Sequence, residues 1–251
     1  MRYILLILFS SYVLAQAQVT NVESKRVRTD TVGWTGEANT GFKFVREAGN
    51  VFTSNTDARV QYKTKKDLYL ILGEYNWSGA IGKSFTNNAY VHLRYNRSLR
   101  PEWLKWEVFS QVQFNEVTRI KLRLLNGTGP RFKLLSKEKG VMYLGTLYMF
   151  EHSKELDIED EEVVKNEHRF SSYLSYSFFP TEQVSLVSTT YYQPKFNKRS
   201  DFRVAHVSEM RVKVLKNLVL SMIYKLNFDT KPAMGIARVT HSFENKIGIV
   251  F

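Results

Sequence analysis

A serine and a histidine two residues apart on one strand face could act as nucleophile and base, and the chain offers one such pair, His206 and Ser208. No G-x-S-x-G run and no paired-carboxylate motif accompanies it. The other histidines, His92, His152, His168 and His241, show no metal-ligand spacing, and the chain has no cysteine for thiolate sites or disulfides. One acidic run, Glu155-Leu-Asp-Ile-Glu-Asp-Glu-Glu162, could hold calcium or magnesium. It lacks the glycine turn and fixed ligand spacing of an EF-hand loop, so a solvated surface loop is expected there. No catalytic residue, metal site or cofactor is expected. The stronger chemical signal is cationic: 36 Lys and Arg against 24 Asp and Glu, a formal net charge of +12.

The elements that position these residues read as strands. Leu218, Leu220, Met222, Tyr224, Leu226 and Phe228 alternate with Val219, Ser221, Ile223, Lys225 and Asn227. Leu104, Trp106, Val108, Val112 and Phe114 alternate in the same way with Lys105, Glu107, Gln111, Gln113 and Asn115. Twelve strands are predicted, at 35–46, 50–63, 67–78, 86–98, 103–115, 118–135, 139–152, 164–179, 182–194, 201–213, 217–229 and 240–251. Proline sits mostly in connections, as at Pro101 and Pro180, because its nitrogen cannot donate to a ladder. Short connections fall at every second junction, and the longest, near 79–85, 153–163, 195–200 and 230–239, fall among the alternate ones.

The two ends of the chain say where such a sheet belongs. Arg2, the apolar run Tyr3–Phe9 and Ala15-Gln-Ala17 have the order of a secretory signal cleaved before Gln18. The run is too short for a spanning helix, which needs about 20 residues. At the other end Phe243, Ile247, Ile249 and Phe251 share one strand face, opposite Glu244, Lys246, Gly248 and Val250. A terminal aromatic on such a strand resembles the sorting signal read by the bacterial barrel-assembly machinery. The expectation is an all-β, antiparallel transmembrane barrel of about twelve strands in a Gram-negative outer membrane. Residues 1–17 are expected as signal peptide, 18–32 as a polar lead-in and 33–251 as the barrel.

In that register the basic residues gather on one face, among them Lys105, Arg119, Lys121, Arg123, Arg131, Lys133, Arg211 and Lys225. A cation on the lipid side at mid-membrane costs about 2–4 kcal/mol, so these should line the lumen. Sixteen basic positions then face four acids, Glu37, Glu107, Glu209 and Glu244. Such a wall predicts either an anion-preferring small-solute path or a packed polar core with a structural role. Nucleic acid is not an expected partner, since it accounts for neither end of the chain. Outer-membrane lipid and lipopolysaccharide are expected around the barrel, and the assembly machinery during biogenesis; the sequence sets no oligomeric state and names no solute. Two alternatives stay open: a lipid-acting enzyme like the twelve-stranded outer-membrane phospholipases, suggested by His206 and Ser208, and a secreted soluble β-barrel binding protein.

The run Tyr90-Val-His-Leu-Arg-Tyr-Asn96, then Trp106–Asn115, Arg119–Phe132 and Gly145-Thr-Leu-Tyr-Met-Phe-Glu151, resembles the domain-of-unknown-function 481 family, also called salt-induced outer-membrane proteins. Its most specific part is the arginine-bearing strand that enters Gly127-Thr-Gly129. Pro130 departs from the family pattern and suggests a bulge or altered strand edge there. The resemblance implies fold and location, with no established catalytic residue or ligand. Glycines at those positions would let a neighbouring side chain fill the lumen.

Overall fold

The computed structural model describes residues 32–46, 50–80, 83–157, 159–232 and 237–250. The expected signal peptide, most of the lead-in and Phe251 lie outside these. Twelve strands form: β1 Gly33–Arg46, β2 Asn50–Lys63, β3 Asp67–Ala80, β4 Lys83–Ser98, β5 Leu104–Asn115, β6 Ile120–Lys137, β7 Gly140–Leu156, β8 Glu162–Phe178, β9 Val184–Pro194, β10 Phe202–Lys213, β11 Leu218–Asp229 and β12 Val239–Val250. Each pairs antiparallel with its sequence neighbours, and β1 pairs with β12 to close the barrel. Closure removes the free edges that an open sheet would present. The closing ladder is short, running from Glu37↔Val250 to Thr40↔Ile247.

Alternation puts an apolar band outside. Ile71, Val91, Leu93, Val108, Val112, Leu220, Ile247 and Ile249 are all exposed on the outer face. Rings border this band at both ends. Toward the end that carries Gly33 and Val250, Trp34 packs on Tyr62, Tyr62 on Tyr69 and Tyr69 on Tyr95. Toward the opposite end Phe42 packs on Phe52, Phe52 on Trp77, and Phe202 joins Tyr192 to Phe228. Amphipathic rings at two levels with aliphatic side chains between them match a bilayer and its two interfaces. The end with the termini is called the turn end below, the other the loop end.

Strands of 12 to 18 residues such as β5 and β6 exceed the 9–11 needed to cross a bilayer. Two expected loops shrink as a result. The acidic run is not one loop: Glu155 belongs to β7 and Glu162 to β8, and between the two strands Asp157 Oδ1 accepts from the amides of Glu159 and Glu161. Pairing of β7 with β8 continues to Leu156↔Glu162, which explains why charged residues here remain in strand.

The loop-end start of β6 departs from simple alternation. Arg119 has φ +58° in the turn before the strand, and the register against β7 shifts between Ile120 and Leu122. The extra residue leaves Ile120 and Arg123 both buried while Lys121 is exposed. At Pro130 there is no register shift; the second shift against β7 falls between Lys133 and Leu135.

Candidate functional site: a lumen closed at mid-height

The lumen is filled by side chains. Leu147, Tyr173, Tyr191 and Ala205 form a buried apolar cluster inside the barrel, with Phe109 packed against it. Glycines on the adjacent strands make room for its rings: Gly127 is the direct cross-strand partner of Phe109, and Gly145 of Tyr173. A Cβ on Gly127 would clash with the Phe109 ring, and one on Gly145 with the Tyr173 ring. Gly129 lies against the carbonyl of Thr146 and the backbone of Leu147, so β6 and β7 approach closely where the glycines sit. Gly127→Val is expected to cost about 1–3 kcal/mol by overpacking. Urea unfolding of the refolded barrel would measure it, and adding Phe109→Ala should return part of the loss.

Two layers of buried charge flank the cluster. On the turn side Glu107, fully buried, meets Arg94 at 2.6 Å and Arg131 at 3.7 Å. The Tyr173 hydroxyl donates to Glu107 at 2.6 Å and accepts from Arg131 Nη1 at 2.9 Å. Arg131 also lies 4.0 Å over the Tyr143 ring. On the loop side Glu151 meets three guanidinium groups: Arg123 at 2.9 Å, Arg169 at 3.2 Å and Arg203 at 2.9 Å. Each arginine keeps a second acid, Glu155 for Arg123, Glu167 for Arg169 and Asp229 for Arg203. At the loop end Lys195 bridges Glu167 at 2.5 Å and Asp201 at 2.9 Å. Burial opposes the charged forms of both members of the Lys195–Asp201 pair, but their mutual hydrogen bond and nearby charges outweigh it. The Lys195 pKa is raised and that of Asp201 lowered.

Between the two layers remains a gap of about 30 Å³ bounded by Arg94, Phe109, Leu147, Glu151 and Tyr173, room for on the order of one water. Beyond it the lumen widens into two chambers. The turn-end vestibule measures about 450 Å³ and is lined by Lys63, Lys105, Arg131, Lys133, Arg211 and Lys213, with Glu37 and Glu182 as its acids. The loop-end chamber, about 310 Å³, is lined by Lys165, Lys195, Lys198 and Lys231 and by Arg123, Arg169 and Arg203, with Glu155, Glu167, Asp201 and Asp229 as its acids.

The expected lumen cations do not all gather. Arg123 and Arg131 are the centres just described, and Lys105, Lys133 and Arg211 line the vestibule, Arg211 also pairing with Glu37 and with Glu209 at 3.7 Å. Lys225 bridges Glu74 at 3.4 Å and Glu244 at 2.7 Å. Arg119 and Lys121 are placed differently: Arg119 binds Asp160 at 2.5 Å and Lys121 reaches Glu162 at 3.7 Å, both at the exposed loop end. The bulge at the start of β6 removes them from the face of Arg123. The acid count also changes. Asp57, Glu74, Glu151, Glu155, Glu167 and Asp229 join the four expected acids in facing inward, so the lumen is far closer to neutral than a sixteen-to-four excess. The alternation that turns Arg59 inward turns Asp57 inward as well. At the closing strand Phe243, Ile247 and Ile249 are exposed on the outer face, and Lys246 is buried against Asp57 at 2.6 Å.

His206 and Ser208 do meet, Nε2 to Oγ at 2.9 Å, on the outward face of β10. The other ring nitrogen faces Thr190 Oγ1 at 2.9 Å. No carboxylate orients the imidazole through these contacts. The same habit recurs where Tyr148 meets His168 at 2.5 Å and Asn166 meets His152 at 2.7 Å, so the pair reads as one of several outward hydrogen bonds between polar side chains. Among the described residues no group of three His, Asp or Glu side chains is placed to hold a metal ion.

A closed antiparallel barrel with an apolar exterior, two levels of rings and a polar, packed interior is an outer-membrane β-barrel fold. The chain belongs to the family described as "Protein of unknown function, DUF481", which it matches over residues 38–251. Solved structures share the fold at low identity. The NanC porin is 11% identical with a TM-score of 0.53, covering 86% of this chain and 98% of that one. An outer-membrane channel from Pseudomonas putida F1 is 9% identical with a TM-score of 0.54, over 90% of this chain and 100% of its own. The translocator domain of the autotransporter NalP from Neisseria meningitidis is 12% identical with a TM-score of 0.52, over 91% of each chain. No curated protein matches.

Proposed function

We propose that this protein is an outer-membrane barrel whose lumen is shut at mid-height, an envelope component that passes no hydrated solute in the conformation described. The cleaved signal at 1–17, the polar lead-in and contact with lipopolysaccharide and the barrel-assembly machinery are parts of the same reading. The observation that carries it is the septum: an apolar cluster with Glu107 and Glu151 layers on either side leaves only about 30 Å³ between chambers of about 450 and 310 Å³. Any path that opens through it would favour anions modestly, chiefly through the turn-end vestibule, whose wall carries six cations and two acids against seven and four in the loop-end chamber. No enzymatic role is proposed.

Planar-bilayer recording tests this. The native barrel is expected to show no steady conductance above background, and Phe109→Ala combined with Tyr173→Ala is expected to open a small channel. Steady open-pore current from the native protein would overturn the closed-lumen reading. Cation selectivity of the opened variant would contradict the proposed role of the vestibule.

A further inference from the structure

Some polar side chains on the outer face satisfy one another, as His206, Ser208 and Thr190 do. Ser110 of β5 and Asn126 of β6 do not. They are direct cross-strand partners, both exposed on the outer face, and neither side chain makes a hydrogen bond among the described residues. Ser110 lies midway between Trp106 and Phe114 on the outward side of β5, so the pair sits at the middle of the apolar band. A hydroxyl and a carboxamide without partners are unfavourable in hydrocarbon. The pair forms the floor of a groove of about 580 Å³ on the outside of the barrel, with Val108 and Thr128 beside it. Ile71, Leu93 and Tyr95 of β3 and β4 wall one side, and Tyr148 and Phe150 of β7 wall the other. The β7 wall is a braced ridge, because the His168 ring packs against both aromatic rings and its Nδ1 meets the Tyr148 hydroxyl at 2.5 Å.

We infer that this groove is the contact face of a dimer formed in the membrane by two copies of this chain. Two copies in one outer membrane insert with the same orientation and depth, so a two-fold axis between them runs along the membrane normal and brings residues of equal height together. Polar groups at mid-height must then pair with their own kind. A carboxamide and a hydroxyl can do so, since each is both donor and acceptor. A groove beside a ridge is self-complementary under the same axis. Asn126 and Phe150 are direct cross-strand partners, about 5 Å apart. An axis passing close to them sets the Tyr148–Phe150 ridge of each copy in the groove of the other and keeps the two Asn126 side chains within reach. A lipid tail would cover the apolar walls and leave the amide unpaired, whereas a second copy satisfies both.

The chain has no cysteine, so a single introduced thiol reports one contact. Ser110→Cys, which leaves Asn126 in place, should give a disulfide-linked dimer when the full barrel, refolded into lipid vesicles, is oxidised with copper phenanthroline. Asn245→Cys, at another outward asparagine on β12 across the barrel, should not. Sedimentation equilibrium in density-matched micelles should find the native chain dimeric. Asn126→Leu should raise the dissociation constant about tenfold, as loss of a hydrogen-bonded pair within the membrane implies, and Asn245→Leu should leave it unchanged. Leucine suits the lipid-facing side, and heat-modifiable migration confirms that each variant is folded. A native chain that is monomeric in micelles and gives no cross-link in vesicles overturns the dimer. A dimer that Ser110→Cys fails to cross-link, or that Asn126→Leu leaves intact, overturns this face. Native mass spectrometry that finds a monomer retaining one phospholipid, lost in Asn126→Leu, overturns the second copy in favour of a lipid occupant.

Discussion

Deleting Phe251, or replacing it with Asp, is expected to lower the yield of folded, membrane-inserted barrel several-fold while the exported chain is still made. The last strand does two tasks at once. It continues the β11 ladder from Leu218↔Ile249 to Phe228↔Val239, and it closes the barrel against β1 through a short register that ends at Glu37↔Val250. Closure therefore depends on the final residues of the chain, and the Val250 amide is anchored to the Asn217 carbonyl at 2.9 Å. Phe251 has the parity of Phe243, Ile247 and Ile249, whose side chains are exposed on the outer face, so Asp at this position would carry a charge on the lipid-facing side. An unclosed barrel leaves β1 and β12 as open edges, a state disfavoured in hydrocarbon. Cell fractionation with cold and heated gel migration measures the effect. Normal yield and rate for the deletion variant would show that the terminal aromatic carries no assembly information.

The twelve strands were legible because the outer face obeys one rule throughout. Lipid on one side and a polar interior on the other force a period of two, and the observed strand ends lie within a few residues of those the alternation predicts. The lumen was less legible for three reasons, the first of which is its inward apolar residues. Phe109 points inward and Ser110 outward, opposite to what residue type suggests, since Phe109 occupies the space over Gly127. The glycine run in β6 was the available signal, and it identifies where an inward ring must come from without naming which one. Leu70, Leu72, Leu147 and Met149 are inward apolar residues of the same kind, and composition alone cannot tell them from lipid-facing ones.

Bulges set the second limit. One extra residue near Lys121 is enough to take Arg119 and Lys121 off the face of Arg123, and nothing in the run Arg119-Ile-Lys-Leu-Arg123 marks it. Ion pairing set the third. Asp57, Glu74 and Glu151 follow from alternation as soon as every charged residue, rather than every cation, is assigned a face. The partners across the barrel do not, because Lys225 of β11 and Glu74 of β3, 151 residues apart, meet only when the sheet closes.

The largest loss of stability from one interior substitution is expected at Glu151. Its carboxylate is 1% exposed and sits among Arg123, Arg169 and Arg203, of which Arg169 is equally buried. Burying such a cluster is costly, and its members are held in place by mutual compensation, so removing the shared anion strands the cations. Each arginine retains a second acid, Glu155, Glu167 or Asp229, which limits the damage. Glu151→Gln keeps the shape and removes the charge, and it should cost about 3 kcal/mol, at the low end for breaking a buried pair. The double variant Glu151→Gln with Arg169→Gln should be less destabilised than the sum of the two single variants, because one stranded cation is gone. Urea unfolding of the refolded barrel in lipid vesicles gives all three values. If Glu151→Gln unfolds at the native midpoint, water must reach the Glu151 layer, and the septum is not the desolvated barrier that its packing implies.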